Sequence, residues 1–192
     1  MEYRMSRLIV NQIQGDAVSK EVEIPTGHTL KGTDAASIFS PGNVLQAVGQ
    51  TFTGQTAVTA TTDGGVKITN SDTTITPKAS NSKFAVWVQL QCYRNNNGAS
   101  GYGIHLYRGS TLIHTPYADW SAGAGHGVTS AMSCPTYLFY LDEPTSAPAG
   151  TDIVYSVYAE CHTSSHEFRF NYSGTWSGVT NKSYIMIQEI AA

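Results

Sequence analysis

From position 84 onward, apolar and polar residues alternate with a period of two, the pattern of strands buried on one face. Phe84, Val86, Val88, Leu90 and Cys92 form one row and Trp87, Gln89 and Gln91 the other, so the first row is expected to face a core. Ile104-His105-Leu106-Tyr107 and Thr111-Leu112-Ile113-His114 flank Arg108-Gly109-Ser110, a short hairpin signal. If Gly109 and Ser110 are the central residues of a tight turn, Leu106 opposes Ile113 and His105 opposes His114, which predicts neighbouring imidazoles on the solvent face. Tyr137-Leu138-Phe139-Tyr140-Leu141 runs into the breaker Asp142-Glu143-Pro144. Ile153, Tyr155, Val157, Ala159 and Cys161 alternate, as do Phe168, Phe170 and Tyr172, and Tyr184-Ile185-Met186-Ile187-Gln188-Glu189-Ile190 closes the chain. With weaker runs at Val44 to Phe52, Val66 to Ile68 and Thr73 to Ile75, the pattern predicts about eight to ten strands and no helix of any length. Turn signals at this spacing point to an all-β antiparallel β-sandwich or jelly roll.

The first forty residues follow no such pattern. Leu8, Val10, Ile13, Val18, Val22, Ile24 and Leu30 are scattered among polar residues, with a Pro25-Thr26-Gly27 turn and a second breaker at Pro41-Gly42. Such a strip cannot build its own core, so it is either disordered or buried against other copies of itself. We therefore divide the chain into an extended N-terminal attachment and trimerisation segment, residues 1–42, and a C-terminal β-sandwich knob, residues 43–192. Strips wound around one axis would bury Ile13, Val18, Val22, Ile24 and Leu30, each worth about 1.5 to 3 kcal/mol. The expected assembly is a homotrimer.

Composition narrows the partners. Charged residues make up 13% of the 192 residues, about half the ~25% of an average soluble domain, which argues against a coiled coil or helical bundle. Eleven Lys and Arg against fourteen Asp and Glu give a net charge of −3 with no basic run, so neither nucleic-acid binding through phosphates nor attraction to an anionic membrane surface is expected. No stretch approaches the ~18 apolar residues of a spanning helix, so no membrane insertion is expected. Met1-Glu2-Tyr3-Arg4-Met5 lacks the apolar block of a signal peptide. Cys92, Cys134 and Cys161 are widely spaced and in no C-x-x-C pair. Cys92 and Cys161 sit in apolar alternation and read as small buried hydrophobes.

Candidate chemistry is sparse. Glycoside hydrolysis needs a pair of carboxylates about 5 to 9 Å apart across a cleft. Of Asp119, Asp142, Glu143, Glu160 and Glu167, the second and third adjoin Pro144 in a turn and the last two occupy outward strand positions, so all four are expected to be solvated. No G-x-S-x-G, H-E-x-x-H or P-loop appears. His162 and His166 are four apart, but Thr163-Ser164-Ser165 between them forms a turn, so no metal site and no cofactor are expected. The stronger signal is recognition. Tyr93 to Tyr102, Tyr117 to Gly127 and His162 to Trp176 are inter-strand segments of Tyr, Trp, Ser, Gly, Asn and His, the composition of adaptable binding loops. Within them Tyr93, Arg94, Asn96, Tyr102, Tyr117, Trp120, His126, His166 and Trp176 are the candidate receptor-binding residues.

Three segments together carry a family resemblance: Leu8-Ile9-Val10-Asn11-Gln12-Ile13; Ile24-Pro25-Thr26-Gly27-His28-Thr29-Leu30 with Pro41-Gly42-Asn43-Val44-Leu45-Gln46; and Ile185-Met186-Ile187-Gln188-Glu189-Ile190. The chain resembles the small tail-fibre and appendage (fibre knob) proteins of tailed bacteriophages, of the kind found in cyanobacterial and marine phages. That resemblance implies a virion component assembled in the host bacterial cytoplasm, with an intertwined N-terminal strip and a β-sandwich knob. The partners it implies are other virion tail or collar proteins and a host surface glycan or outer-membrane protein. Fibres of this kind usually carry a long repetitive shaft, for which the residues between Val18 and Pro41 leave little room. The functions in view are host attachment, a structural connector or adaptor with no receptor role, and a glycan-cleaving fibre.

Overall fold

Alternating β-branched and aromatic residues favour strands, and here they form eleven among the described residues, in a six-stranded and a five-stranded sheet whose inner faces share one core. The computed structural model describes residues 41–59, 64–94, 102–115, 132–161, 167–172 and 181–192. All fall within one unit, Phe39–Ala192. Ile13, Val18, Val22, Ile24 and Leu30 lie outside the described residues.

In the first sheet, β1 (Val44–Phe52) pairs with β11 (Ser183–Ile190), and β11 pairs with β5 (Lys83–Arg94). The C-terminal half of β5 then pairs with β10 (Phe168–Phe170), which pairs with β2 (Thr56–Val58). The other side of β5 is lined along eleven residue pairs by β8 (Met132–Asp142). All these pairings are antiparallel. The second sheet runs from β3 (Val66–Lys67) and β4 (Thr73–Ile75) through β9 (Ile153–Cys161) and β6 (Tyr102–Arg108) to β7 (Thr111–His114). The all-β sandwich read from the sequence is the fold observed.

The predicted inward row of β5 is buried: Phe84 and Val86 are fully enclosed and Val88, Leu90 and Cys92 nearly so, whereas Trp87 is 44% exposed. Ile185 and Ile187 on β11 and Phe168 and Phe170 on β10 join them from the same sheet. From the second sheet, Ile104, Leu106, Tyr155, Val157 and Cys161 complete the core. Cys92 and Cys161 are buried, as their apolar alternation predicted.

The β6–β7 turn confirms half of the hairpin reading. Arg108 opposes Thr111 and Tyr107 opposes Leu112 across Gly109-Ser110. Gly109 has φ of 58° and Ser110 is not left-handed, which is a type II′ turn, the geometry that matches strand twist and calls for Gly at its first central position. A bulge then intervenes, and Leu106 opposes His114 rather than Ile113. The paired imidazoles predicted at 105 and 114 are therefore not formed. His105 is buried, with Nδ1 3.0 Å from Thr115 Oγ1 and Nε2 3.5 Å from Glu160 Oε2. His114 stacks on Tyr140 at 4.5 Å, where burial holds its pKa below the ordinary value.

Two carboxylates expected in solvent are interior. Asp142 is 3% exposed and accepts both bonds of the Arg108 Nη1, at 2.6 and 2.7 Å, and one from the Tyr155 hydroxyl at 2.7 Å. Because Asp142 is on β8 and its donors on β6 and β9, this cluster ties one sheet to the other. Burial and the neighbouring Asp142 charge push the Tyr155 phenol pKa far upward. Glu160 is likewise buried, beside His105. Position in a turn or on an outer strand face did not reveal these burials, because β6 and β9 are enclosed on both faces over most of their length.

Candidate interaction surface

The outer face of the first sheet collects large side chains that the core does not use. On β5 the outward row contains Trp87, Gln89, Gln91 and Tyr93; on β8, Tyr137, Phe139 and Leu141; on β11, Tyr184 and Met186. Trp87 and Phe139 are cross-strand partners in the register and their rings sit 4.2 Å apart. Exposure is 61% at Tyr137, 52% at Phe139, 41% at Leu141 and 39% at Tyr184. A groove of about 490 Å³ runs among Trp87, Gln89, Tyr137, Phe139, Tyr184 and Met186. Gly49 on β1 makes room for this face, since a Cβ there would collide with the Tyr184 ring.

None of the outward residues from Trp87 to Met186 in this face is charged. Its rim is polar. At one end Lys83 Nζ pairs with Glu143 Oε1 at 2.6 Å, both exposed. At the other, about 33 Å along β5 at some 3.3 Å per residue, the Tyr93 and Tyr172 rings pack with centres 4.7 Å apart and a tilt of 33°, and the Arg169 guanidinium lies 4.9 Å from the centre of the Tyr172 ring. Arg169 is itself ion-paired with Glu167, which raises its pKa.

Of the predicted receptor residues, Tyr93 is half-buried in this second cluster. Arg94 lies at the end of β5 beside it, opposite Phe168 and Met132. Tyr102 is a correction: at 3% exposure it packs on Phe168 and Phe170 and its hydroxyl meets Thr136 Oγ1, so it belongs to the core and cannot touch a receptor. Asn96, Tyr117, Trp120, His126, His166 and Trp176 lie outside the described residues. The exposed aromatic face itself was only half legible. Trp87 among glutamines marked one outward position, but in Tyr137-Leu138-Phe139-Tyr140-Leu141 every residue is apolar and periodicity cannot assign sides.

Asp142, Glu160 and Glu189 are enclosed in internal contacts, Glu143 is paired with Lys83 and Glu167 with Arg169. Among the described residues no group of three or more His, Cys, Asp or Glu side chains could hold a metal ion.

No protein-family model matches the chain and no curated protein matches it. Partial likeness is found to a virus. The structure of infectious bursal disease virus Gx strain is similar over 88% of this chain and 42% of that one, at 14% identity and a TM-score of 0.38. The Gt strain is similar over 86% and 43%, at 15% identity and 0.30. The T13 particle of the same virus is similar over 86% and 40%, at 15% identity and 0.33. This chain thus spans about two fifths of the length of those chains. Likeness at this level carries no argument about ancestry or activity, and the all-β description rests on the strands themselves.

Proposed function

We propose that this chain is a non-enzymatic virion appendage protein of a tailed phage, a homotrimer whose knob attaches to a host surface glycan or outer-membrane protein. The observation that supports attachment is the Tyr93–Tyr172–Arg169 cluster. The packed rings offer apolar area at small entropy cost, and a guanidinium beside them adds donors, a combination suited to the apolar faces and hydroxyls of a sugar. The cluster lies at the strand ends from which the Asn- and Gly-rich sequence of residues 95–101 and the Ser- and Gly-rich sequence of residues 173–180, with Trp176, continue. The trimer rests on the apolar residues Ile13, Val18, Val22, Ile24 and Leu30 in residues 1–42, and the virion setting rests on the family resemblance of the sequence.

Labelled full-length protein is expected to bind bacterial cells or extracted lipopolysaccharide, and Tyr93→Ala with Tyr172→Ala to weaken that binding by about tenfold or more. Binding that ignores both substitutions would move the receptor site elsewhere. No binding to any host material, together with capture by a tail or collar protein, would favour the connector reading. Release of reducing sugar would establish a glycan-cleaving fibre instead.

A further inference from the structure

We infer that the outer face of the first sheet, centred on Trp87, Tyr137 and Phe139, is a contact between copies of this chain, knob against knob. The inference deepens the homotrimer reading and rests on it, but it places an interface on the sandwich rather than on residues 1–42. Area supports it first. Taking roughly 200 Å² for a large side chain fully in water, the exposed fractions of Trp87, Tyr137, Phe139, Leu141 and Tyr184 leave about 500 Å² of this face per copy. Turned toward a shared threefold axis, three such faces remove about 1,500 Å² from water in the whole trimer. A patch of about 500 Å² is at the upper end of what a monomer exposes, and patches of that size are often interaction sites.

Charge agrees with a second copy as the occupant. The face from Trp87 to Met186 has no charged side chain, so like faces meet without repulsion, whereas a phosphate-bearing or strongly charged partner finds nothing to pair with. The surround also has the anatomy of an interface, an apolar centre with Trp87 on Phe139 and a polar rim at Lys83–Glu143 and Arg169–Glu167. Finally, β8 pairs among the described residues with β5 alone. The outward row of β8 runs Pro135, Tyr137, Phe139 and Leu141, with no charge. Proline at one end limits the ladder that could be extended there, and the remaining row suits side-chain packing across copies.

The test places the photo-reactive residue p-benzoylphenylalanine at position 137 of the full-length chain, with circular dichroism confirming the sandwich. Irradiation is expected to give a species of twice the chain mass, with the linked peptide mapping to residues 83–94, 132–142 or 183–190 of the second copy. Phe139→Glu in the same background should lower the yield of that species at least about thirtyfold, as for loss of a central aromatic anchor. An oligomer by light scattering that gives no such link, or links only to residues 1–42, overturns this inference and leaves the homotrimer standing. A link formed only when lipopolysaccharide is added, and then to glycan, overturns it in favour of a receptor on this face. A monomer by light scattering overturns both.

Discussion

At the scale of single residues, the sandwich is held by polar groups that no local pattern announces. Glu189 is fully buried, yet its carboxylate accepts from Ser82 Oγ at 2.7 Å, from the Lys78 and Ala79 amides at 2.8 to 3.0 Å and from Gln46 Nε2 at 2.6 Å. Burial alone would raise its pKa, but these donors outweigh it and hold the carboxyl below the ordinary 4.5. A depressed carboxylate pKa stabilises the fold fully above the unfolded value and loses that contribution as pH falls through the folded one. Glu189→Gln should therefore lower stability at neutral pH by about 1.5 to 3 kcal/mol and flatten the fall in melting temperature below about pH 4.5. An acid profile identical to that of the unsubstituted chain would show that the clasp is not formed. Tyr155→Phe removes one donor from buried Asp142 while Arg108 remains, and should cost about 1 to 2 kcal/mol in urea unfolding; an unchanged midpoint would contradict the sheet-to-sheet tie. Arg108 and Asp142 are 34 positions apart, which is why Asp142 read from sequence as a turn residue in water.

Among the elements, legibility followed the number of faces left open. Strand β5 and strand β11 each have an enclosed row and a row reaching solvent, so their period of two could be read directly. Val88→Asp should accordingly abolish soluble expression, since an unpaired buried carboxylate costs several kcal/mol or more, while Gln89→Asp should yield a folded chain. Equal tolerance would mean that β5 is out of register by one residue. Strands β6 and β9 are enclosed on both faces over most of their length, and there the polar residues His105 and Glu160, expected in solvent, are buried. The turn at Gly109 was readable because its positive φ demands glycine. Gly109→Ala should cost about 1 kcal/mol or more in thermal unfolding, and a neutral result would contradict the type II′ geometry. The bulge that follows left no comparable mark, since Ile113 carries no residue-type signal for an extra position.

For the whole molecule, a sandwich with an uncharged aromatic face is combined in one chain with an N-terminal segment whose apolar residues have too few neighbours in sequence to form a core. Both features predict association of copies, the first by side-chain area on the knob and the second by mutual burial of strips. The composition alone, poor in charge and rich in Tyr, Gly and Asn, located neither surface; only the pairing of β5 with β8 brought Trp87 and Phe139 together. Removing residues 1–42 should weaken the proposed trimer while leaving the far-ultraviolet spectrum of a β-sandwich. The most direct test of the central claim is the mass of the full-length protein in solution by light scattering at micromolar concentration. A proposed homotrimer gives one species at three times the 20.6 kDa chain mass, and a stable species at the chain mass itself would contradict it.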